Sequence, residues 1–239
     1  MIDRSTSAGL EKIASRERDA AHAYKPGFVP ESSDVARPSR PVAVQDPLSV
    51  AAPQSAYFLG IDAGGKVAFS REGAFEITKG ELRGSDGRPV LGFALDDRSA
   101  LAPLRIDPYD AALGRVSDAR VDADGTFGYT RTSIDPRTGA RRSERVVVGR
   151  VAIARFPAGT QPARVDAAHV VPPAGVKAQI GVPGDGSFPA LAPHSRDLGS
   201  VDIIASLEKM KEAYDAFEAQ RAAYHARGDV EKTTMDLVK

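Results

Sequence analysis

Residues 46–92 alternate short apolar runs with glycine-containing turns, and this pattern limits the chain to a small set of folds. The runs contain aromatic residues, which favour strands over helices: Tyr57, Phe58, Phe69 and Phe75. Pairs suited to tight turns with a positive φ separate them: Gly64-Gly65, Glu72-Gly73 and Asp86-Gly87. The stretch predicts a compact β-module and does not by itself indicate a function.

The strand pattern continues to about residue 199. Residues 146–156 form the most strand-like run in the chain, with Val151 and Ile153 on one face and Ala152 and Ala154 on the other. Asp122-x-Asp124-Gly125 resembles the start of a calcium loop, but the following residues lack the remaining oxygen ligands. We therefore predict a hairpin turn there.

Both ends of the chain predict helices. Residues 8–24 carry a thin apolar stripe that the Lys25-Pro26-Gly27 sequence ends. From Val201 onward the apolar residues follow a 4-3-4-3 spacing, which favours packing against a partner helix or against the chain's own β-domain. Gly228 is expected to interrupt this second helix, whereas the proline-rich residues 29–46 predict an extended arm.

Composition and residue spacing give no indication of an enzyme. The chain has 32 basic and 32 acidic residues, so no net charge attracts nucleic acid or an anionic membrane. It has no cysteine, its four histidines lack metal-ligand spacing, and no nucleophile elbow or phosphate loop occurs. Neither a secretory signal nor a membrane-spanning segment is visible. We predict no catalytic residue, no cofactor, no metal, no nucleic-acid partner and no membrane insertion.

Four motifs in fixed order resemble the flagellar hook and basal-body rod family of bacterial axial proteins. The family pattern runs N-P-L-D-V-A, G-F-F, Y-T-R-D/N-G-x-F and L-x-T-x-D-G-x-P-V-L-G. The chain matches it with Asp46-Pro47-Leu48-Ser49-Val50-Ala51, Tyr57-Phe58, Phe69-Ser70-Arg71-Glu72-Gly73-Ala74-Phe75 and Asp86-Gly87-Arg88-Pro89-Val90-Leu91-Gly92. Near the C-terminus, Ser200-Val201-Asp202-Ile203-Ile204 resembles the family's S-N-V-D-L-V. The asparagine-rich motif that family members carry near the N-terminus is absent from this chain.

The resemblance implies an α+β fold with a mainly β central domain. N- and C-terminal helices would form a coiled-coil-like helical domain from the two chain ends. The implied divisions are residues 1–28 for the N-terminal helix, 29–46 for the extended arm, 47–199 for the β-rich domain and 200–239 for the C-terminal helix. Apolar helix residues would form the assembly interface: Leu10, Ile13, Ile203, Leu207, Met210, Tyr214 and Phe217.

The function implied is that of a structural subunit of the flagellar rod, the periplasmic shaft that transmits torque to the hook. Its partners would be other rod and hook subunits and the flagellar type III export apparatus, with export leaving the N-terminus uncleaved. The short middle domain favours a rod subunit over the hook protein. The Met1-Ile2-Asp3-Arg4 start and the compact length favour a proximal over a distal subunit. Two alternatives stay open, a divergent paralogue that does not polymerise and a monomeric periplasmic β-domain that binds a partner.

Overall fold

The computed structural model describes residues 4–23, 28, 30, 40–53, 56–62, 64–95, 100–113, 115–135, 137–166, 168–199 and 201–237. Most of the predicted extended arm, residues 29–46, lies outside the described residues. Its last part includes a short strand, Pro41–Ala43.

The chain contains three described helices and seventeen described strands. The helices are α1 (Arg4–Ala21), α2 (Pro108–Ala112) and α3 (Ile203–Leu237). The strands up to the middle of the chain are β1 (Pro41–Ala43), β2 (Val50–Ala51), β3 (Tyr57–Ile61), β4 (Val67–Ser70), β5 (Phe75–Thr78), β6 (Glu81–Gly84), β7 (Leu91–Ala94) and β8 (Leu101–Pro103). The later strands are β9 (Val116–Val121), β10 (Thr126–Ile134), β11 (Arg141–Val151), β12 (Ile153–Arg155), β13 (Ala163–Arg164), β14 (His169–Val171), β15 (Gln179–Gly181), β16 (Ala192–Pro193) and β17 (Ser195–Asp197).

The predicted fold class, with a coiled-coil helical domain, is wrong. The structure is mostly β-sheet, and its terminal helices do not form a coiled coil. A coiled coil needs apolar side chains at both seam positions. Along α1 the buried positions include Arg16 and Asp19 beside Ile13, while Leu207 and Tyr214 of α3 are exposed.

The described residues fall into two compact units. Helices α1 and α3 belong to one, and all seventeen strands and α2 belong to the other. Within the helical unit the two helices run antiparallel, since Gly9 lies opposite Phe217 and the Ser206 hydroxyl donates to the Arg16 carbonyl at 3.5 Å. The predicted break at Gly228 is wrong, because α3 continues through it to Leu237.

The β unit consists of antiparallel sheets. One has five strands in the order β8-β7-β11-β10-β9, and another has six in the order β13-β14-β4-β3-β12-β15. Two-stranded pairings join β1 to β17, β2 to β16 and β5 to β6. Strands from the start of the unit therefore pair with strands from its end.

Two apolar cores lie within the β unit, and the strand-like run at residues 146–156 contributes to both. Val151 and Ile153 belong to the larger core, whereas Ala152, Ala154 and Phe156 belong to the smaller one. The predicted alternation is confirmed here, and both faces are buried at residues 151–154, which explains why these four residues are all apolar. The run forms two strands, because β11 pairs in the five-stranded sheet and β12 in the six-stranded sheet.

The turn predictions hold in part. Asp122-x-Asp124-Gly125 is the β9–β10 hairpin turn, with Gly125 at a φ of 80°. Gly65 and Gly87 also adopt positive φ. Gly73 does not, and it is required for a different reason: a Cβ there would lie 1.9 Å from the Val50 carbonyl oxygen.

Candidate functional site

The predicted assembly residues divide into inward-facing and outward-facing sets. Ile13 is buried in the helical unit, and three residues of α3 are partly buried: Ile203, Met210 and Phe217. The outward-facing residues are Leu10, Leu207 and Tyr214, with exposed fractions of 46%, 47% and 49%. The outward residues are thus apolar or aromatic side chains available to another molecule.

The exposed apolar surface extends along α3 beyond the predicted residues. Ile204 lies three residues before Leu207, and Tyr224 lies ten residues beyond Tyr214; both are exposed. Single exposed apolar residues are ordinary on protein surfaces. Here Ile204, Leu207 and Tyr214 are spaced three and seven residues apart, so they lie along one side of the helix.

A buried arginine closes the β unit. The Arg71 Nε donates to Asp197 Oδ2 at 2.8 Å, and the two side chains are 8% and 1% exposed. The rest of its guanidinium donates to main-chain carbonyls of one loop, with Nη1 reaching Pro53 and Ala56 at 3.1 Å and Nη2 reaching Ala52 at 3.3 Å. Only a planar, five-donor group can make this set of bonds at once.

Strands β1 and β17 place Asp197 for this contact. Asp197 pairs with Pro41 across the β1–β17 ladder, and its second carboxylate oxygen accepts the Gly199 N–H at 3.0 Å. Buried charges persist in proteins when they are paired and hydrogen-bonded. We call Arg71, Asp197 and the carbonyls of residues 52, 53 and 56 the arginine clamp, and its geometry is that of a structural site.

A second polar cluster surrounds His169 at the start of β14. The imidazole is almost fully buried and lies between two carboxylates, with Nδ1 at 2.8 Å from Asp166 Oδ1 and Nε2 at 3.1 Å from Asp86 Oδ2. Arg88 contacts the same two carboxylates, at 3.0 Å from Asp166 and 3.4 Å from Asp86. Burial alone would lower the pKa of His169, but the hydrogen bonds that the ring donates to the two carboxylates outweigh burial and raise the pKa.

A third buried contact anchors the short helix α2. Tyr129 of β10 donates its hydroxyl to Asp110 Oδ2 at 2.6 Å, and both residues are buried. Arg131 lies 3.5 Å from the same carboxylate. Burial and then the adjacent Asp110 carboxylate raise the pKa of Tyr129 to about 12.

None of these clusters has the composition of a metal site. Within the described ranges, no group of three or more acidic, histidine or cysteine side chains could hold a metal ion. No described helix combines the length and apolar character that a membrane span requires. The strong polar contacts of the β unit connect parts of its fold to one another.

No known family matches. The comparisons gave no protein-family model for this chain and no curated protein with significant similarity. The family resemblance of the motifs in residues 46–92 therefore stays a hypothesis about this chain.

Sequence reasoning missed the clusters for identifiable reasons. Arg71 belongs to one of the family-like motifs, but nothing nearby in sequence shows that its partner is Asp197, 126 residues away. His169 has one local signal, because Asp166 precedes it by three residues and accepts its main-chain N–H at 3.0 Å. Its second carboxylate, Asp86, is distant in sequence and could not be paired with it from spacing.

Proposed function

We propose that this chain is a structural subunit of the bacterial flagellar basal-body rod. The observation that carries the proposal is the order and spacing of the four motifs in residues 46–92. A single short match would be weak support, whereas four matches in the family's order and spacing are far more specific. In this role the chain assembles with other rod and hook subunits in the periplasm after type III export.

The positions of the motif residues support a structural role. Phe58, Phe75 and Val90 pack in the larger core, Leu91 packs in the smaller one, and Arg71 forms the clamp. A shared motif of this kind reflects a shared way of building a β-module, since its residues are buried. The motif therefore supports a shared fold and gives no argument for catalysis.

Contacts with neighbouring subunits are expected to use the exposed apolar residues of the helices. Leu10, Leu207 and Tyr214 lie outside the contact between α1 and α3, so they can be buried by another chain without unfolding this one. Fully burying a large apolar side chain is favourable by about 1.5–3 kcal/mol. These side chains are already about half buried, so each would contribute roughly half of that. Several of them, repeated at every subunit interface, would give a stable assembly.

The test is the double variant Leu207→Asp with Tyr214→Asp, expressed in place of the wild-type chain in its own bacterium. We expect loss of incorporation into basal bodies and loss of swimming, while the purified variant keeps its circular dichroism spectrum. Ala219→Asp is the matched control, since Ala219 is exposed on another side of α3. Normal swimming and incorporation of the double variant would contradict the proposed role.

A further inference from the structure

The two carboxylates around His169 constrain the charge of its ring. A neutral imidazole carries one N–H and one lone pair, so it can donate to only one acceptor. Here each ring nitrogen lies within hydrogen-bond distance of a carboxylate oxygen, 2.8 Å on one side and 3.1 Å on the other. Only the doubly protonated imidazolium donates to both, and the neutral ring leaves one nitrogen lone pair facing an anion.

The two carboxylates belong to different parts of the β unit. Asp86 lies in the turn at residues 85–88, between β6 and β7, and Asp166 lies in the connection between β13 and β14. His169 itself begins β14, pairing with Ser70 of β4. The protonated ring therefore joins the β13–β14 hairpin to a turn that is about 80 residues earlier in the chain.

We propose that protonated His169 is a pH-controlled latch that ties the β13–β14 hairpin to the turn at residues 85–88, and that the hairpin loosens when the ring loses its proton. The charged groups facing the ring are Asp86, Asp166 and Arg88, and Glu72 lines the same surface cleft. With the ring protonated, the negative charges of Asp86 and Asp166 are balanced by the positive charges of His169 and Arg88. Without that proton, Arg88 alone faces them.

The direction of the pH effect follows from these contacts. Because the pKa of His169 is raised, its contribution is complete below the ordinary histidine value of about 6.5 and is lost as pH rises through the higher folded value. Burial opposes ionisation of Asp166, but hydrogen bonds from the Ala168 N–H, His169 and Arg88 lower its pKa to about 2. The latch is therefore complete from about pH 4 to about pH 6.5.

The first measurement is a titration of the four histidine rings by NMR on the full chain, with His169 assigned by its loss in His169→Gln. We expect His169 to titrate above the ordinary histidine value of about 6.5. Asp86→Asn should lower the His169 midpoint, because it removes one of the two anions. A His169 midpoint at or below about 6.5 in the wild-type chain would overturn the proposal.

The second measurement is amide hydrogen exchange of the Val165 N–H, which donates to the His169 carbonyl at 2.9 Å. As pH rises through the His169 midpoint, the protection factor of this N–H should fall. The fall should be about tenfold for each unit by which the pKa of His169 in the folded protein exceeds its pKa in the unfolded chain. The Leu82 N–H, which bonds Leu104, serves as the internal reference. His225→Gln should retain the fall and His169→Gln should remove it, whereas wild-type protection that stays constant through the His169 titration would contradict the latch.

Discussion

Individual buried polar residues hold the β unit together at sites that an apolar pattern does not indicate. Arg71 and Asp197 are buried as a pair, and the arginine also satisfies three carbonyls of one loop. Such a pair adds little net stability compared with apolar residues of the same shape, but removal of one partner leaves a buried charge. The contribution of the Arg71–Asp197 pair to stability is therefore measured by replacing one of the two residues.

Arg71→Met should destabilise the protein by about 3–5 kcal/mol, because it leaves the Asp197 carboxylate buried without its cation. Arg71→Lys should also be destabilising, since one ammonium cannot reach all four acceptors. Urea denaturation of the purified variants measures both. Arg120→Lys is the control, because Arg120 forms an exposed pair with Asp122 at 3.0 Å and its replacement should cost about 0–1 kcal/mol. A stability of Arg71→Met within 1 kcal/mol of wild type would refute the importance of the clamp.

Gly73→Ala should destabilise the β unit by at least about 1–3 kcal/mol, since overpacking at a rigid contact forces the main chain to move. The added Cβ would lie 1.9 Å from the Val50 carbonyl oxygen and 2.7 Å from the Phe58 ring. Gly228→Ala provides a matched control of opposite sign, because open space surrounds Gly228 within α3 and alanine favours helix by about 1 kcal/mol. Thermal denaturation should show a lower Tm for the first and an equal or higher Tm for the second, and equal shifts would disprove the steric argument.

At the scale of elements, sequence reasoning found the strands better than their partners. The runs at residues 57–61, 67–70 and 75–78 are strands as their aromatic and glycine pattern predicts. The continuation of α3 through Gly228 was missed, because a single glycine costs a helix only about 1 kcal/mol and does not end it. The coiled coil was wrong because spacing alone does not show which side of a helix faces its neighbour, and here polar residues occupy much of that side.

Helix α2 was also missed, and its anchor explains how so short a helix forms. It has five residues, with the Asp107 side chain accepting the Tyr109 N–H at 2.8 Å and Asp110 bonded to Tyr129. A helix of this length is not stable alone. Its position depends on a contact with β10, which no local pattern contains.

Tyr129→Phe should cost about 1–3 kcal/mol, because the Asp110 carboxylate stays buried without this donor. Tyr109→Phe is the control and should have little effect, since Tyr109 is exposed. A spectrophotometric pH titration adds a second reading: because the pKa of Tyr129 is raised to about 12, its contribution is present below about pH 10 and is lost as pH rises through about 12. Ionisation of every tyrosine near pH 10 in the folded protein would contradict the buried contact.

At the scale of the whole molecule, both units bring together segments that are far apart in sequence. The helical unit contains α1 and α3, while β1 and β2 pair with β17 and β16 in the β unit. Sequence reasoning could group the strands of residues 47–199 by composition. It could not show that β1, within the predicted arm, pairs with β17, since three exposed residues carry no apolar pattern.

Two truncated chains test how the β unit closes. A chain that ends at residue 199 keeps β16, β17 and Asp197, so its β unit should unfold cooperatively. A chain that ends at residue 190 lacks them and leaves Arg71 without its carboxylate. Because whole domains are stable by only about 5–15 kcal/mol, this loss should abolish cooperative unfolding, as followed by near-ultraviolet circular dichroism. Equal melting curves for the two chains would show that the closing strands are dispensable.

The pairing of early strands with late ones also determines when the protein can fold during its synthesis. A ribosome releases the N-terminal residues first, and a domain folds once all of its segments have emerged. The carboxylate partner of Arg71 and the strands that pair with β1 and β2 all lie in residues 192–197, and α3, which contacts α1, follows them. The β unit can therefore be completed only after residue 197 has emerged, and the helical unit only after α3 has followed it.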